Sequence, residues 1–149
     1  MSCRIVVAIS LALAAPPLLA ERAQARPAVA TDSAVFVERV MPDSSSRLEP
    51  AVRLSRGDKV VTVVTWYRMG GDGGFVITNP LPAGLAYEDS ASDRQDVSVD
   101  GGRTWGHLGT LRIGNRLAAP EDVTHVRWRI PPGTAARGRG EIAYSGTVR

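Results

Sequence analysis

The chain has 149 residues, with 18 Lys and Arg against 15 Asp and Glu, giving a net charge of +3. This length suffices for one domain with its own hydrophobic core. The net charge is too small to indicate nucleic acid as a partner. The single cysteine, Cys3, precedes the folded part of the sequence, which excludes a cysteine-based metal site or catalytic thiol from that part.

The first residues have the features of a secretory signal peptide spanning residues 1–25. Arg4 precedes an apolar run over residues 5–20, and Ala23 and Ala25 fit the small-residue pattern of a cleavage site. The run is shorter than the roughly 20 apolar residues that cross a bilayer as a helix. We therefore expect an exported protein, periplasmic or extracellular, whose mature chain has no transmembrane segment.

The segment after the signal peptide, residues 26–33, lacks any hydrophobic period and is predicted to be a flexible leader. The domain is predicted to span residues 34–149. Its first strand covers residues 34–40, which are rich in β-branched and aromatic side chains. After a turn rich in serine, a weaker strand is predicted over residues 51–54.

The strongest strand signal in the sequence covers residues 59–68. Apolar side chains occupy both of its faces, which predicts a strand in the middle of a sheet. Glycines at residues 70–74 interrupt it, and a further strand is predicted over residues 75–78. The spacing between these two strands predicts a hairpin with a loose loop.

A proline-rich turn is predicted directly after that strand. Two prolines fix φ and remove two backbone donors, and a glycine that tolerates positive φ follows them. The residues to which we assign this structural role are Asn79, Pro80, Pro82 and Gly84.

Short strands are predicted for the rest of the chain, over residues 96–100, 108–113, 123–130 and 141–148. In the third of these, alternation places Trp128 towards the core. No segment has a sustained helical period. The sequence therefore predicts an all-β fold, an immunoglobulin-like antiparallel β-sandwich of about seven to nine strands.

Four segments, SRGDKVVTVVTWY, VITNPLPAGLAYEDSAS, VSVDGGRTW and VTHVRWRIP, together resemble a bacterial conserved-repeat domain known as domain of unknown function eleven. Gly57-Asp58 and Asn79–Gly84 stand where that family has its turns. The resemblance implies an immunoglobulin-like fold in secreted and surface proteins and supplies no catalytic residues. In place of the family's turn after the long strand, this chain has the glycine-rich residues 70–74.

Residues 98–105 match the Asp-box pattern S-x-D-x-G-x-T-W, in which an aspartate organises a hairpin and a tryptophan packs beneath it. A single copy without the repeated blades of a propeller does not indicate a glycosidase. We therefore assign structural roles to Asp100, Gly102 and Trp105.

Metal and enzyme chemistry find little support in the sequence. His107 and His125 are the only histidines, at a spacing that fits no common zinc motif, and no G-x-S-x-G elbow is present. We predict no metal site, no cofactor and no catalytic activity. A divergent hydrolase is a third hypothesis, after the two functions given below. The acidic stretch over residues 88–100 fits no EF-hand loop, and whether it binds calcium stays open.

The charge distribution carries the functional hypothesis. Residues 26–100 hold 8 basic and 11 acidic side chains, whereas residues 101–149 hold 8 arginines and 3 acids. A period of two predicts an exposed basic strand face that the next loop extends, and guanidinium groups suit carboxylate, sulfate or phosphate. The candidate binding residues are His125, Arg127, Arg129, Arg137 and Arg139.

Two functions follow from these features. The first is a non-catalytic structural or adhesive module at the bacterial cell envelope, with an envelope protein as partner. The alternative is a module that binds an acidic glycan through the basic strand, using Arg127 and Arg129 with an aromatic side chain such as Trp105. Nucleic acid is not expected, because no aromatic residues interleave with the arginines to stack bases.

Overall fold

The chain folds as an antiparallel β-sandwich, which confirms the predicted all-β class. The computed structural model describes residues 28–90, 92 and 94–149, so the predicted signal peptide lies outside the described residues. A five-stranded and a three-stranded antiparallel sheet enclose one core. Within the described ranges, none of the helical segments is both long and apolar enough to cross a membrane.

Strands are numbered in chain order. The larger sheet contains, from edge to edge, β2 (Ser46–Pro50), β1 (Val29–Val40), β3 (Lys59–Arg68), β10 (Arg139–Val148) and β5 (Leu85–Ser90). The smaller sheet contains β4 (Phe75–Pro80), β9 (His125–Ile130) and β6 (Gln95–Ser98). The remaining elements are a short hairpin of β7 (Arg112–Ile113) and β8 (Arg116–Leu117), a 3₁₀ turn (Pro120–Asp122) and one helical turn, α1 (Pro132–Ala135).

The sandwich shares its two-layer arrangement with immunoglobulin domains, has eight strands in its two sheets, and pairs those strands in a different order. With the edge strand β2 left aside and β1, β3, β4, β5, β6, β9 and β10 lettered A to G, the sheets read A-B-G-D and C-F-E. The immunoglobulin constant domain has A-B-E-D and C-F-G. Relative to that domain, the fifth and seventh lettered strands are therefore exchanged between the two sheets.

The core forms where the alternating side chains of the two sheets meet. β3 buries Trp66 and β9 buries Trp128, each with only 1% of its surface exposed. The Trp66 ring lies edge-on to Phe75, with 5.2 Å between ring centroids, and the Trp128 ring is 5.8 Å from that of Tyr144. Each aromatic pair joins one strand of each sheet, so the tryptophans hold the layers together. The predicted central position of β3 is also confirmed, since it pairs with β1 and β10.

The predicted flexible leader is wrong for most of its length. Residues 29–33 belong to β1, where Val29 pairs with Arg68 and Ser33 pairs with Val64. Their own sequence gives no strand signal, but the long neighbouring strand β3 offers a row of backbone partners that satisfies their N–H and C=O groups.

The turn predicted around Asn79–Gly84 begins later than expected. Asn79 and Pro80 are still in β4, paired with Val126 and His125, and Pro80 is tolerated because β4 is an edge strand. The reversal itself is short, with the N–H of Leu85 bonded to the carbonyl of Pro82 at 2.9 Å. Gly84 is not among the residues with positive φ, so the expected need for glycine there is not met.

The predicted hairpin between β3 and β4 is also wrong, because the two strands lie in different sheets. Arg68 instead organises the glycine-rich connection between them by donating hydrogen bonds to the carbonyls of Gly71 and Gly73.

Two strand boundaries differ as well. The second strand covers Ser46–Pro50 in place of residues 51–54, and only Arg112–Ile113 of residues 108–113 is extended.

Candidate anion-binding groove

The Asp-box residues form a closed hairpin beside β6. Oδ1 of Asp100 accepts hydrogen bonds from the backbone N–H groups of Arg103 (3.1 Å) and Thr104 (2.9 Å), and Oδ2 accepts one from Thr104 Oγ1 (2.6 Å). Ser98 Oγ donates to Asp100 Oδ1 at 2.8 Å and accepts from the N–H of Gly102 at 2.9 Å. The carboxylate therefore accepts the backbone N–H hydrogen bonds that strand pairing does not satisfy in this loop.

Trp105 closes the same loop from below. Its Nε1 donates to the carbonyl of Gly102 at 2.9 Å. Gly102 has a φ of +85° and a Cβ there would lie 3.4 Å from the indole, so glycine suits both the backbone and the close ring. This geometry describes a structural loop, with the reactive oxygens of Asp100 turned towards their own backbone.

We expect Asp100→Asn to lower the melting temperature by several degrees at pH 7. Hydrogen bonds from the side chain and backbone of Thr104, and then from Ser98, lower the pKa of Asp100 below its ordinary value of 3.8. Because the folded-state pKa is the lower one, the ionised carboxylate stabilises the fold above about pH 4, and this stabilisation disappears as the pH falls. Thermal melts from pH 7 to pH 2 should therefore show the difference between variant and wild type shrinking below pH 4.

A matched control is Asp72→Asn, which alters a carboxyl in the exposed loop after β3. It should melt with the wild type across the same pH range. A gap between Asp100→Asn and wild type that stays constant down to pH 2 would contradict the assigned role of the ionised carboxylate. Residual acid sensitivity is expected from Asp122, whose pKa Arg116 lowers to about 2.

The structure packs two of the predicted binding residues, His125 and Arg127, against Trp105. The guanidinium of Arg127 lies 4.3 Å from the centre of the Trp105 ring, and its Nη2 donates to Asp96 Oδ2 at 2.8 Å. Its side chain is only 20% exposed. The ring of His125 packs edge-on to Trp105 with 6.4 Å between centroids. The cation–π contact between Arg127 and Trp105 therefore holds the Asp-box hairpin against β9, and the ion pair with Asp96 fixes the position of the Arg127 guanidinium.

The other three predicted residues line one groove of about 470 Å³. Arg129 reaches it from the end of β9, Arg137 from the loop after α1 and Arg139 from the start of β10. A fourth arginine, Arg94, also lines it. The sequence does not single out Arg94, which lies in a mixed acidic stretch just before β6, and only the folded structure places it in the groove. We call this set of four residues the arginine groove.

The start of β10, residues 139–143, lines the arginine groove. β5 pairs with β10 only from Tyr144 onward, so these lining residues of β10 have no strand partner on the β5 side. The hydroxyl-bearing residues Ser92 and Thr134 also line it, together with the acid Glu141. No carboxylate of residues 28–90, 92 and 94–149 lies within ion-pair distance of Arg94, Arg137 or Arg139.

Two of these arginines face each other across the small sheet. Gln95 pairs with Trp128, and the N–H of Arg129 bonds to the carbonyl of Arg94 at 3.3 Å, so Arg94 and Arg129 are directly opposite. Like charges in opposite positions destabilise a sheet. Here Asp96 offsets the charge of Arg129 with an ion pair at 2.8 Å, whereas Arg94 has no ion-pair partner among the described residues, so its positive charge favours a role in binding an anion.

The acidic and histidine residues do not assemble a metal site in the described part of the chain. No group of three His, Cys, Asp or Glu side chains with metal-binding geometry occurs there. Asp96 is held by arginines and Asp100 by its own loop. Asp93, a member of the acidic stretch considered for calcium, lies outside the described residues.

Comparison of the chain with models of protein families, with curated proteins and with solved structures finds no match. The resemblance to the conserved-repeat family therefore stays a prediction, and the arginine groove is interpreted from its own geometry.

Proposed function

We propose that this chain is a non-catalytic, exported module of the bacterial cell envelope that binds an acidic polysaccharide in the arginine groove. The observation that carries the proposal is the convergence of Arg94, Arg129, Arg137 and Arg139 from three separate parts of the chain. Guanidinium groups present planar forks of donors that match carboxylate and sulfate oxygens.

A polymer of sugars fits this groove better than a compact anion does. The start of β10 lines the groove, and the hydroxyls of Ser92 and Thr134 offer hydrogen-bond partners for sugar hydroxyls beside the charged groups. Arginine stays protonated at neutral pH and is a poor proton shuttle, so a groove built on arginine favours binding over acid–base catalysis. This is why we place glycan binding above the structural or protein-interaction role and above hydrolysis.

The test uses calorimetry to measure binding of the purified protein to polygalacturonate, dextran sulfate and neutral dextran. We expect binding to one or both acidic polymers, none to neutral dextran, and an affinity that falls steeply as salt increases. The triple variant Arg94→Ser, Arg137→Ser and Arg139→Ser should bind at least about tenfold more weakly, because each lost arginine removes a charge-assisted hydrogen bond.

The control is a second triple variant that removes the same charge from a different surface, Arg47→Ser, Arg53→Ser and Arg56→Ser. These arginines are exposed on β2 and in the loop that follows it. The control should bind within about twofold of wild type. Equal losses in the two triple variants, or a wild type that ignores both acidic polymers, would overturn the proposal.

A further inference from the structure

We propose that Asp96 is an internal competitor that occupies Arg129 until a ligand anion displaces it. This inference rests on the proposed function of the arginine groove and names a regulator of its affinity. Asp96 lies on β6, where it pairs with Arg127 and stands two register positions from the opposed pair of Arg94 and Arg129.

The contacts of Asp96 are unequal in a way that suits displacement. One oxygen, Oδ2, contacts both Arg127 Nη2 and Arg129 Nη1, each at 2.8 Å. The Arg127 side chain is 20% exposed and is fixed against Trp105, whereas the Arg129 side chain is 61% exposed. Arg127 therefore holds the carboxylate in place, and Arg129 is the partner that can leave.

The exchange leaves the number of ion pairs unchanged. When a ligand carboxylate or sulfate binds Arg129, one ion pair of that guanidinium replaces another, and Asp96 keeps its ion pair with Arg127. The net gain from Arg129 is small because its ion pair with Asp96 is lost when the new one forms. Without the competing carboxylate, Arg129 should contribute its full share to anion binding.

The exchange predicts that Asp96→Asn binds an acidic polymer more tightly than wild type, by about two- to fivefold. The asparagine oxygen can still accept from Arg127, so the packed cluster has a partner. Adding Arg129→Gln to Asp96→Asn should remove the gain. The charge-matched control is Glu49→Gln, on the exposed strand β2, which should leave the affinity within about 1.5-fold of wild type.

An unchanged or weaker affinity in Asp96→Asn, with an unchanged melting temperature and intact wild-type binding, would overturn the role of Asp96 and leave the arginine groove standing. A gain that persists after Arg129→Gln would overturn it too. A wild type that binds no acidic polymer would instead overturn the proposed function.

A second measurement covers the case in which Asp96→Asn is destabilised. In the wild type, the side-chain Nε–Hε NMR signal of Arg129 should move as polygalacturonate is added, while that of Arg127 stays in place. Movement of both signals, or of neither in a protein that binds the polymer, would overturn the exchange.

Discussion

Trp128→Ala should lower the free energy of unfolding by about 3–5 kcal/mol, the usual cost of removing a large aromatic side chain from a core. Trp128 is 1% exposed on the central strand of the smaller sheet. Its ring lies 5.8 Å from that of Tyr144, and its Nε1 donates to Ser90 Oγ at 3.2 Å. The variant therefore leaves a cavity between the sheets and also removes one of the two hydrogen bonds of the Ser90 hydroxyl, which still donates to the carbonyl of Ala143.

The measurement is urea denaturation monitored by circular dichroism. Fluorescence is less suitable, because the variant lacks one of the three tryptophans that give the signal. Val76→Ala is the control, because Val76 belongs to the same sheet but is 55% exposed. We expect it to remain within about 0.5 kcal/mol of wild type. A loss below about 1 kcal/mol for Trp128→Ala would contradict the assignment of strand faces.

The second large effect is expected from Gly140→Ala, a change of one methyl group. A Cβ at this position of β10 would lie 2.5 Å from Cζ2 of Trp66, inside the distance of any ordinary contact. Because Trp66 is 1% exposed and its ring is enclosed by the core, either the ring or β10 must move. We expect a loss of about 1–3 kcal/mol in the free energy of unfolding, the range for overpacked cores.

Two further variants separate this clash from a general effect of replacing glycine. Gly84→Ala has no heavy atom within 4 Å of the new Cβ and no positive φ, so it should be neutral or stabilising by up to about 1 kcal/mol. Adding Trp66→Phe to Gly140→Ala should cost less than the sum of the two single changes, because the smaller ring relieves the contact. Strict additivity would contradict the clash.

Strand faces could be predicted from the sequence where alternation was strong. Trp128 was assigned to the core from the pattern of β9 alone, and β3 was placed in the centre of its sheet because both of its faces are apolar. Weak patterns failed. Val29–Ser33 has no strand signal of its own and is extended because β3 provides its hydrogen bonds, an interaction between residues more than 30 positions apart.

The candidate site divides in the same way. Arg127 and Arg129 alternate onto one strand face, as predicted, yet the structure gives them different environments. Arg127 is covered by Trp105, which arrives from the Asp-box hairpin, whereas Arg129 reaches the arginine groove. Neither the cover nor the addition of Arg94 follows from strand periodicity, since both depend on which strands pair and in which register.

By itself, the sequence determined the all-β class, the inward face of β9 and the richness in arginine of the last third of the chain. These are local properties, because side-chain alternation and turn residues act over a few positions. Only the tertiary structure decided the exchange of two strands between the sheets and the meeting of Arg94 with Arg129, Arg137 and Arg139. Both depend on backbone pairing between distant segments, which short-range patterns do not encode.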